Sequence, residues 1–289
     1  MITGIDHVVI LAADLEPMIS AYRSLGFVVA RGGEHPRWQT ENALVALAGG
    51  AYLELLAARN PAAAAGHRLW QRADGRPRRP GEYGGFMLGS NDLRADVTRW
   101  RAKGLGMPDP IPGARLRPDG QEVRWQLVYP DRRDLPLLIQ DETPREVRVP
   151  AAAAGLNAVT RLAGVTVVVT DVAEAADAYG RLLGGSIGDP VAGSRARGSP
   201  GSTARTRSER FATPAGHITL VAPAPGEPAF NYLQTCGPGV FSITLAVAGR
   251  WPETLPSPDE GSGQEPMRLV DPRLTGGVRV FVEMASGGS

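Results

Sequence analysis

Hydrophobic and polar positions recur along this chain in a fixed order: a strand-like run, a capping acid, a helical stripe and a glycine stop. Residues 4–27 show the order first. His7 to Leu11 is an apolar run rich in β-branched residues and predicts a strand. Asp14 follows as an N-cap, with Leu15, Met18, Ile19 and Tyr22 at the i, i+3, i+4, i+7 spacing of one helix face. Gly26 ends that helix, because glycine enters the left-handed region at a helix C-terminus without strain.

The same order returns at 85–105, with Phe86 to Leu88 as strand, Asp92 as cap, Leu93, Val97 and Trp100 as stripe, and Gly104 as stop. It returns again at 164–185, with Val165 to Val169, Asp171, then Val172, Ala175, Ala176, Tyr179 and Leu183, and finally Gly184-Gly185. Short strands are predicted after each helix: 27–31, 43–48 and 51–57; then 113–118, 122–129 and 135–140; then 210–212 and 217–222. A fourth unit is partial. Phe241 to Val247 and Val278 to Met284 read as strands, and a Pro/Ser/Gly-rich stretch takes the place of the helix.

This repeat predicts an α+β fold of four βαβββ-type modules, the fourth degenerate, paired into two curved mixed-sheet barrels. One helix covers one face of each module's sheet. The bare face must be buried elsewhere, and two bare faces curl together around a cup. The expected organisation is an N-terminal two-module barrel over 1–145, a linker over 146–159 through Pro150 and the run Ala151 to Ala154, and a C-terminal two-module barrel over 160–289. The arginine-rich segment 193–209 reads as a solvated loop, with an anion-binding or interaction arm as the rival.

Strand alternation places candidate polar groups. His7, Val9 and Leu11 share one face of their strand, and Tyr52, Glu54 and Leu56 share one face of theirs. Arg124 and Gln126 alternate with Val123, Trp125 and Leu127. If that apolar set packs on the helix carrying Val97 and Trp100, Arg124 and Gln126 face the cup, where arginine would grip a carboxylate. An outward-facing arginine, or an ion pair with Glu54, is the competing arrangement.

The module Gly4-Ile5-Asp6-His7-Val8-Val9, with Asp14-Leu15, Tyr22-Arg23 and Leu25-Gly26-Phe27, resembles the first module of the vicinal oxygen chelate superfamily of glyoxalases, ring-cleaving dioxygenases, epimerases and bleomycin-resistance proteins. His35 to Leu44 and Tyr52 to Ala57 are similar to its glyoxalase-like domain subgroup. That resemblance implies a small-molecule cup and one divalent metal (Fe, Mn, Ni or Zn), with no organic cofactor. Its ligands would come from the first and last strands: His7, Glu54 and, from the second module, Gln140. His35 is the implied acid or base, and Asn42 joins Arg124 and Gln126 as substrate-binding candidates at the cup. The second module departs from the pattern, with Gly85 at the position of His7, and the third has Gly164 and Thr219 at the two ligand positions. The C-terminal barrel is therefore expected to be structural. Two functions stay open: a lyase, isomerase or oxygenase acting on a small oxygenated molecule, or a metal-free binding protein of the bleomycin-resistance type.

Composition narrows this further. A net charge of +1 gives no bulk attraction to nucleic acid or acidic membrane. No apolar run approaches the ~20 residues that span a bilayer. The N-terminus has no basic flank before an apolar stretch, and Cys236 is the only cysteine. These features predict a cytoplasmic protein; the small-molecule ligand is what the cup and the resemblance imply, and exposed sheet edges leave monomer or homodimer open. Phosphate loops, Ser-His-Asp arrangements and HExxH patterns are absent from the sequence. His67 and Trp70 read as part of a surface crossover, and His217 as a structural histidine.

Overall fold

The computed structural model describes residues 1–72, 74–184, 205–257 and 267–285. In the first half the chain runs β1 (Ile2–Ala12), α1 (Leu15–Ser24), β2 (Ala30–His35), β3 (Thr40–Ala46), β4 (Tyr52–Ala58), a short α2 (Pro61–Ala64) and a 3-10 turn (Arg68–Trp70). It continues through β5 (Tyr83–Ser90), α3 (Leu93–Ala102), β6 (Ile111–Leu116), β7 (Glu122–Val128), β8 (Leu137–Asp141) and α4 (Arg145–Arg148). The second half adds β9 (Val159–Val168), α5 (Val172–Leu183), β10 (Arg207–Thr213), β11 (Gly216–Ala222), α6 (Pro228–Cys236), β12 (Gly239–Val247), β13 (Met267–Leu269) and β14 (Arg279–Met284).

The expected caps start the three long repeated helices. Asp14 accepts from the Glu16 amide at 3.1 Å, Asp92 from Ala95 at 3.1 Å, and Asp171 from Ala173 at 2.8 Å. Each satisfies amides that the first turn leaves without partners. Gly26 takes φ +84° just past α1.

Module pairing follows one rule in both halves. Within a module the first and last strands lie parallel, β1 with β4, β5 with β8, β9 with β11 and β12 with β14. Between modules the first strands lie antiparallel, β1 with β5 and β9 with β12. Modules one and two close into an eight-stranded barrel, ordered β1-β4-β3-β2-β6-β7-β8-β5. Modules three and four form a curved sheet of β10-β11-β9-β12-β14-β13 that stays open among the described residues. Residues 193–204 of the arginine-rich segment lie outside the described residues, as do 258–266 of the stretch that replaces the fourth helix.

Strand alternation divides the apolar residues into two cores. Val8, Ile10 and Ala12 point out of the barrel, and Val9 and Leu11 point in. The outer cluster takes Tyr22, Trp100 and Tyr179 from the three long helices and runs on into Val165, Val167, Ile243 and Leu245 of the second sheet. Cross-links fasten the two halves there. Trp100 Nε1 donates to the Leu182 carbonyl at 3.0 Å, Tyr179 OH to that of Asp134 at 2.7 Å, and Tyr83 OH to that of Arg279 at 2.8 Å. The segment 146–159, expected to be a linker, begins inside the turn α4. That turn carries Arg148 into the base of the barrel.

Candidate functional site

The inward positions of the barrel line a cavity. Its polar floor comes mostly from the first module. In the β1–β4 register His7 is opposite Tyr52 and Val9 opposite Glu54, so His7 and Glu54 project inward as neighbours. The imidazole of His7 stacks on the Tyr52 ring, with centroids 4.5 Å apart and planes 18° apart. Its Nδ1 meets Asp6 Oδ1 at 2.6 Å, and its Nε2 lies 3.4 Å from Glu54 Oε2. Consecutive strand residues normally face opposite ways. Here the β1–β5 register shifts between Ile5 and His7, and this irregularity lets the Asp6 carboxylate reach the His7 ring.

Glu54 is held from its other side. Asn42 Nδ2 donates to Glu54 Oε1 at 2.6 Å, and His35 Nε2 lies 4.0 Å from the same oxygen. The β2–β3 register sets His35 opposite Thr40, and Thr40 Oγ1 is 3.0 Å from His35 Nδ1. Gly32 makes room for this side of the floor, since a Cβ there would stand 2.0 Å from Asn42 Oδ1. Only glycine fits.

Charge at the floor is uneven. Arg148 meets Asp6 with two nitrogens, Nη1 at 3.0 Å and Nη2 at 2.8 Å, and also bonds Asp141 and the Tyr52 hydroxyl. Arg115, from β6, is 3% exposed and has no ion pair among the described residues. Its Nη2 donates to the Arg148 carbonyl at 2.7 Å and its Nη1 reaches Asn42 Oδ1 at 3.5 Å, while its Nε is buried without a partner. A buried guanidinium with no counter-ion is costly, and its planar donors suit an anion.

The ionisation pattern follows from burial and neighbours. Burial alone would raise the Glu54 carboxyl, but the hydrogen bond and charge of His7, then His35 and Asn42, outweigh it and hold Glu54 down to about 2. Burial opposes charge on His7, yet its contacts with Asp6 and Glu54 prevail and raise it. His35 is pushed down to about 4, chiefly by burial and further by Arg115, against the pull of Glu54. The floor at neutral pH is thus an ionised Glu54 between a neutral His35 and a His7 whose hold on its proton is strengthened.

Above the floor, aromatic rings form the mouth. Trp38 and His67 are 4.7 Å apart between centroids, His67 and Tyr129 5.9 Å, and His35 and Trp125 6.0 Å. His67 Nε2 lies 3.1 Å from the Tyr129 hydroxyl.

The structure brings together His7, Glu54, His35 and Asn42 and places the other three candidates elsewhere. Arg124 and Gln126 face outward, opposite to expectation. Val123, Trp125 and Leu127 fill the barrel interior, because α1 packs on β3 and β4 and α3 on β8, leaving the outer face of β7 to water. Arg124 is 60% exposed beside Glu122, and Gln126 donates to Glu142. Gln140 also points outward, where its Oε1 accepts from the Leu93 amide at 2.7 Å and helps cap α3. Register shows why it is no counterpart of Glu54. Val9 and Met87 precede their caps Asp14 and Asp92 by the same interval, Val9 pairs with Glu54, and Met87 pairs with Leu137. The second module therefore offers Gly85 and Leu137, neither of them a ligand.

Sequence reasoning missed Asp6, Arg115, Arg148, His67 and the mouth aromatics. Arg115 had a readable signal in its alternation with Gly113, which shares its face of β6. Arg148 had none, since it reaches the barrel from a segment without strand pattern.

Whether this floor suits a divalent metal can be tested on its donor set. Two imidazoles and a carboxylate fit Fe, Mn, Ni or Zn in chemistry, and each histidine has its Nδ1 anchored and its Nε2 turned to Glu54, as ligand histidines do. The side chains stand as an ion-paired cluster. Among the described residues no group of three or more His, Cys, Asp or Glu is set as a metal cage.

Comparisons with known proteins agree with this architecture. A family described as "Glyoxalase-like domain" matches residues 5–183, more than half of the chain. No curated protein matches it. Among solved structures, a hypothetical protein from Staphylococcus aureus is similar over 97% of this chain and 99% of its own, at 14% identity and a TM-score of 0.61. A triple mutant of 4-hydroxymandelate synthase from Streptomyces coelicolor is similar over 100% and 94%, at 15% identity and a TM-score of 0.59. No helix among the described residues is long and apolar enough to cross a membrane. With the repeated modules, the closed barrel and the family match in hand, the chain belongs to the glyoxalase-like domain family.

Proposed function

We propose that the N-terminal barrel takes a small oxygenated organic anion and moves a proton on it, an isomerase- or lyase-type step. The observation that carries this reading is an ionised Glu54, buried between His7 and His35, in a cavity that also holds the unpaired Arg115. Arg115 binds the anionic end of the substrate through its planar donors. Glu54 receives the proton from a carbon next to a carbonyl, and His7, steadied by Asp6, stabilises the charge change beside it. The aromatic mouth closes over the ligand and excludes water. A bound Fe, Mn, Ni or Zn ion would be held by His7, His35 and Glu54, and would supply a Lewis acid for a substrate oxygen.

The test is hydrogen–deuterium exchange in D2O, followed by NMR over a panel of 2-hydroxy and 2-oxo carboxylates, with binding read from the fluorescence of Trp38 and Trp125. Exchange that Glu54→Gln abolishes while binding persists is the expected result. A panel that neither binds nor exchanges sinks the proposal. Binding without exchange favours the second reading, a metal-free binding protein, to which the Trp38, Trp125 and Tyr129 walls lend support. Elemental analysis of untagged protein, with His7→Ala as the control, checks the metal.

A further inference from the structure

A second crevice opens where β5 and β8 of the barrel meet β9 and β12 of the open sheet. It shares only Leu69 with the cup. Three guanidiniums line it, from Arg68, Arg78 and Arg133. Among the described residues none of the three has an ion pair; Arg68 donates instead to the carbonyls of Tyr129, Pro130 and Arg132, which leaves Arg78 and Arg133 as the free guanidiniums. Asp134, the carboxylate on the wall, is already taken by Arg132, with Nε–Oδ1 at 3.1 Å and Nη2–Oδ2 at 2.8 Å.

Some donors here have nothing to bind. Arg78 Nε and Nη1 and Arg133 Nη1 are buried without a hydrogen-bond partner. A Cβ on Gly239 would lie 3.6 Å from Arg78 Nη2 and 3.8 Å from the Tyr232 hydroxyl, so these two groups approach the same point of the wall. Burial, with the charge of Arg133 beside it, holds Arg68 down to about 10. Gathering like charges and unmet donors in one crevice costs stability unless an anion joins them.

From this cluster we infer that the crevice is a phosphate-type oxyanion site, separate from the barrel cup. A phosphate or phosphate monoester carries close to two charges near neutral pH and has three acceptor oxygens on one centre. Several guanidiniums around one tetrahedral anion satisfy more N–H groups than a single carboxylate does. Inorganic phosphate and a phosphorylated small molecule share this chemistry.

Calorimetry on the full chain at constant ionic strength tests the site, with inorganic phosphate and glycerol 3-phosphate as probes. Saturable binding is expected, weakened about tenfold or more in Arg78→Gln and in Arg133→Gln and unchanged in Arg115→Gln. Tighter binding of the ester identifies an organic phosphate as the natural occupant; equal binding identifies phosphate itself. Three results overturn the inference: no saturable heat with either probe, full affinity in both crevice variants, or loss of binding in Arg115→Gln, which would put the anion in the cup. Arg124→Gln makes the same charge change on an exposed strand, and equal weakening there would reduce the effect to bulk electrostatics. Melting curves of each variant show that the fold is intact. Because Arg115 lines the cup and not this crevice, failure of this site leaves the proposed function standing, and the reverse holds too.

Discussion

The closed barrel and the open sheet use the same strand pairing, yet they place different chemistry on equivalent positions. In the barrel, β1 and β4 present His7, Tyr52 and Glu54; in the sheet, β9 and β11 present Gly164, His217 and Thr219 at matching register. A Cβ on Gly164 would stand 2.4 Å from His217 Nε2, so the His217 ring covers the place where a side chain like His7 would begin. Burial decides what each half can hold. Eight strands closing on themselves shut water out, and at low local dielectric the Asp6–His7–Glu54 contacts become strong enough to shift ionisation. Thr166 and Thr219 on the open sheet are only partly buried and need no charge partner. The lesson is that closure, rather than the module itself, makes the site.

The largest expected effect comes from breaking the floor. Arg148→Ala would leave the Asp6 carboxylate buried with far less compensation, so urea unfolding should show a loss of roughly 3–5 kcal/mol. Arg210→Ala, on the open sheet, should cost much less. Similar losses at the two positions would show that closure does not set the strength of these contacts.

A pH series sharpens the same contrast. Burial depresses His35 to about 4 from the ordinary 6.5. Between those values the unfolded chain binds the additional proton, so stability falls as pH drops through the window, by at most about 3 kcal/mol for this group. His67 and His217 are also held down to about 4 and add to the fall, whereas His7 is raised and works against it. His35→Asn should flatten the pH dependence of the unfolding midpoint between 6.5 and 4. An unchanged profile would mean that His35 is not buried in the neutral form. Asp6 and Glu54 titrate lower, and their contributions are lost only below the ordinary carboxylate range.

The smallest effect should be at Arg124. Arg124→Gln ought to change stability by less than about 0.5 kcal/mol and leave ligand binding in the cup intact. A marked loss of cup binding would mean that β7 turns its other face inward.

Much of the fold was legible because local patterns carry it. The caps Asp14, Asp92 and Asp171, the helix stripes behind them and the stop at Gly26 are short-range signals, readable without knowing any partner. His7 and Glu54 were readable for a similar reason, since alternation within each strand already puts them on the same faces as Val9 and Leu56. The error at Arg124 and Gln126 shows the boundary. Alternation states which residues of β7 share a face, but which face looks inward depends on which strands α1 and α3 cover. Gln140 failed through register, because only the β5–β8 pairing reveals Leu137 as the counterpart of Glu54.

By itself, then, the sequence determined the modules, their order and the two polar positions of the first one, since periodicity, capping and glycine conformation act over a few residues. Tertiary structure alone decided that modules one and two close while three and four stay open among the described residues. It also brought Arg115 from β6 and Arg148 from α4 to the floor set by β1 and β4. Contacts between residues about a hundred positions apart depend on how whole strands pair, and no local pattern encodes that choice.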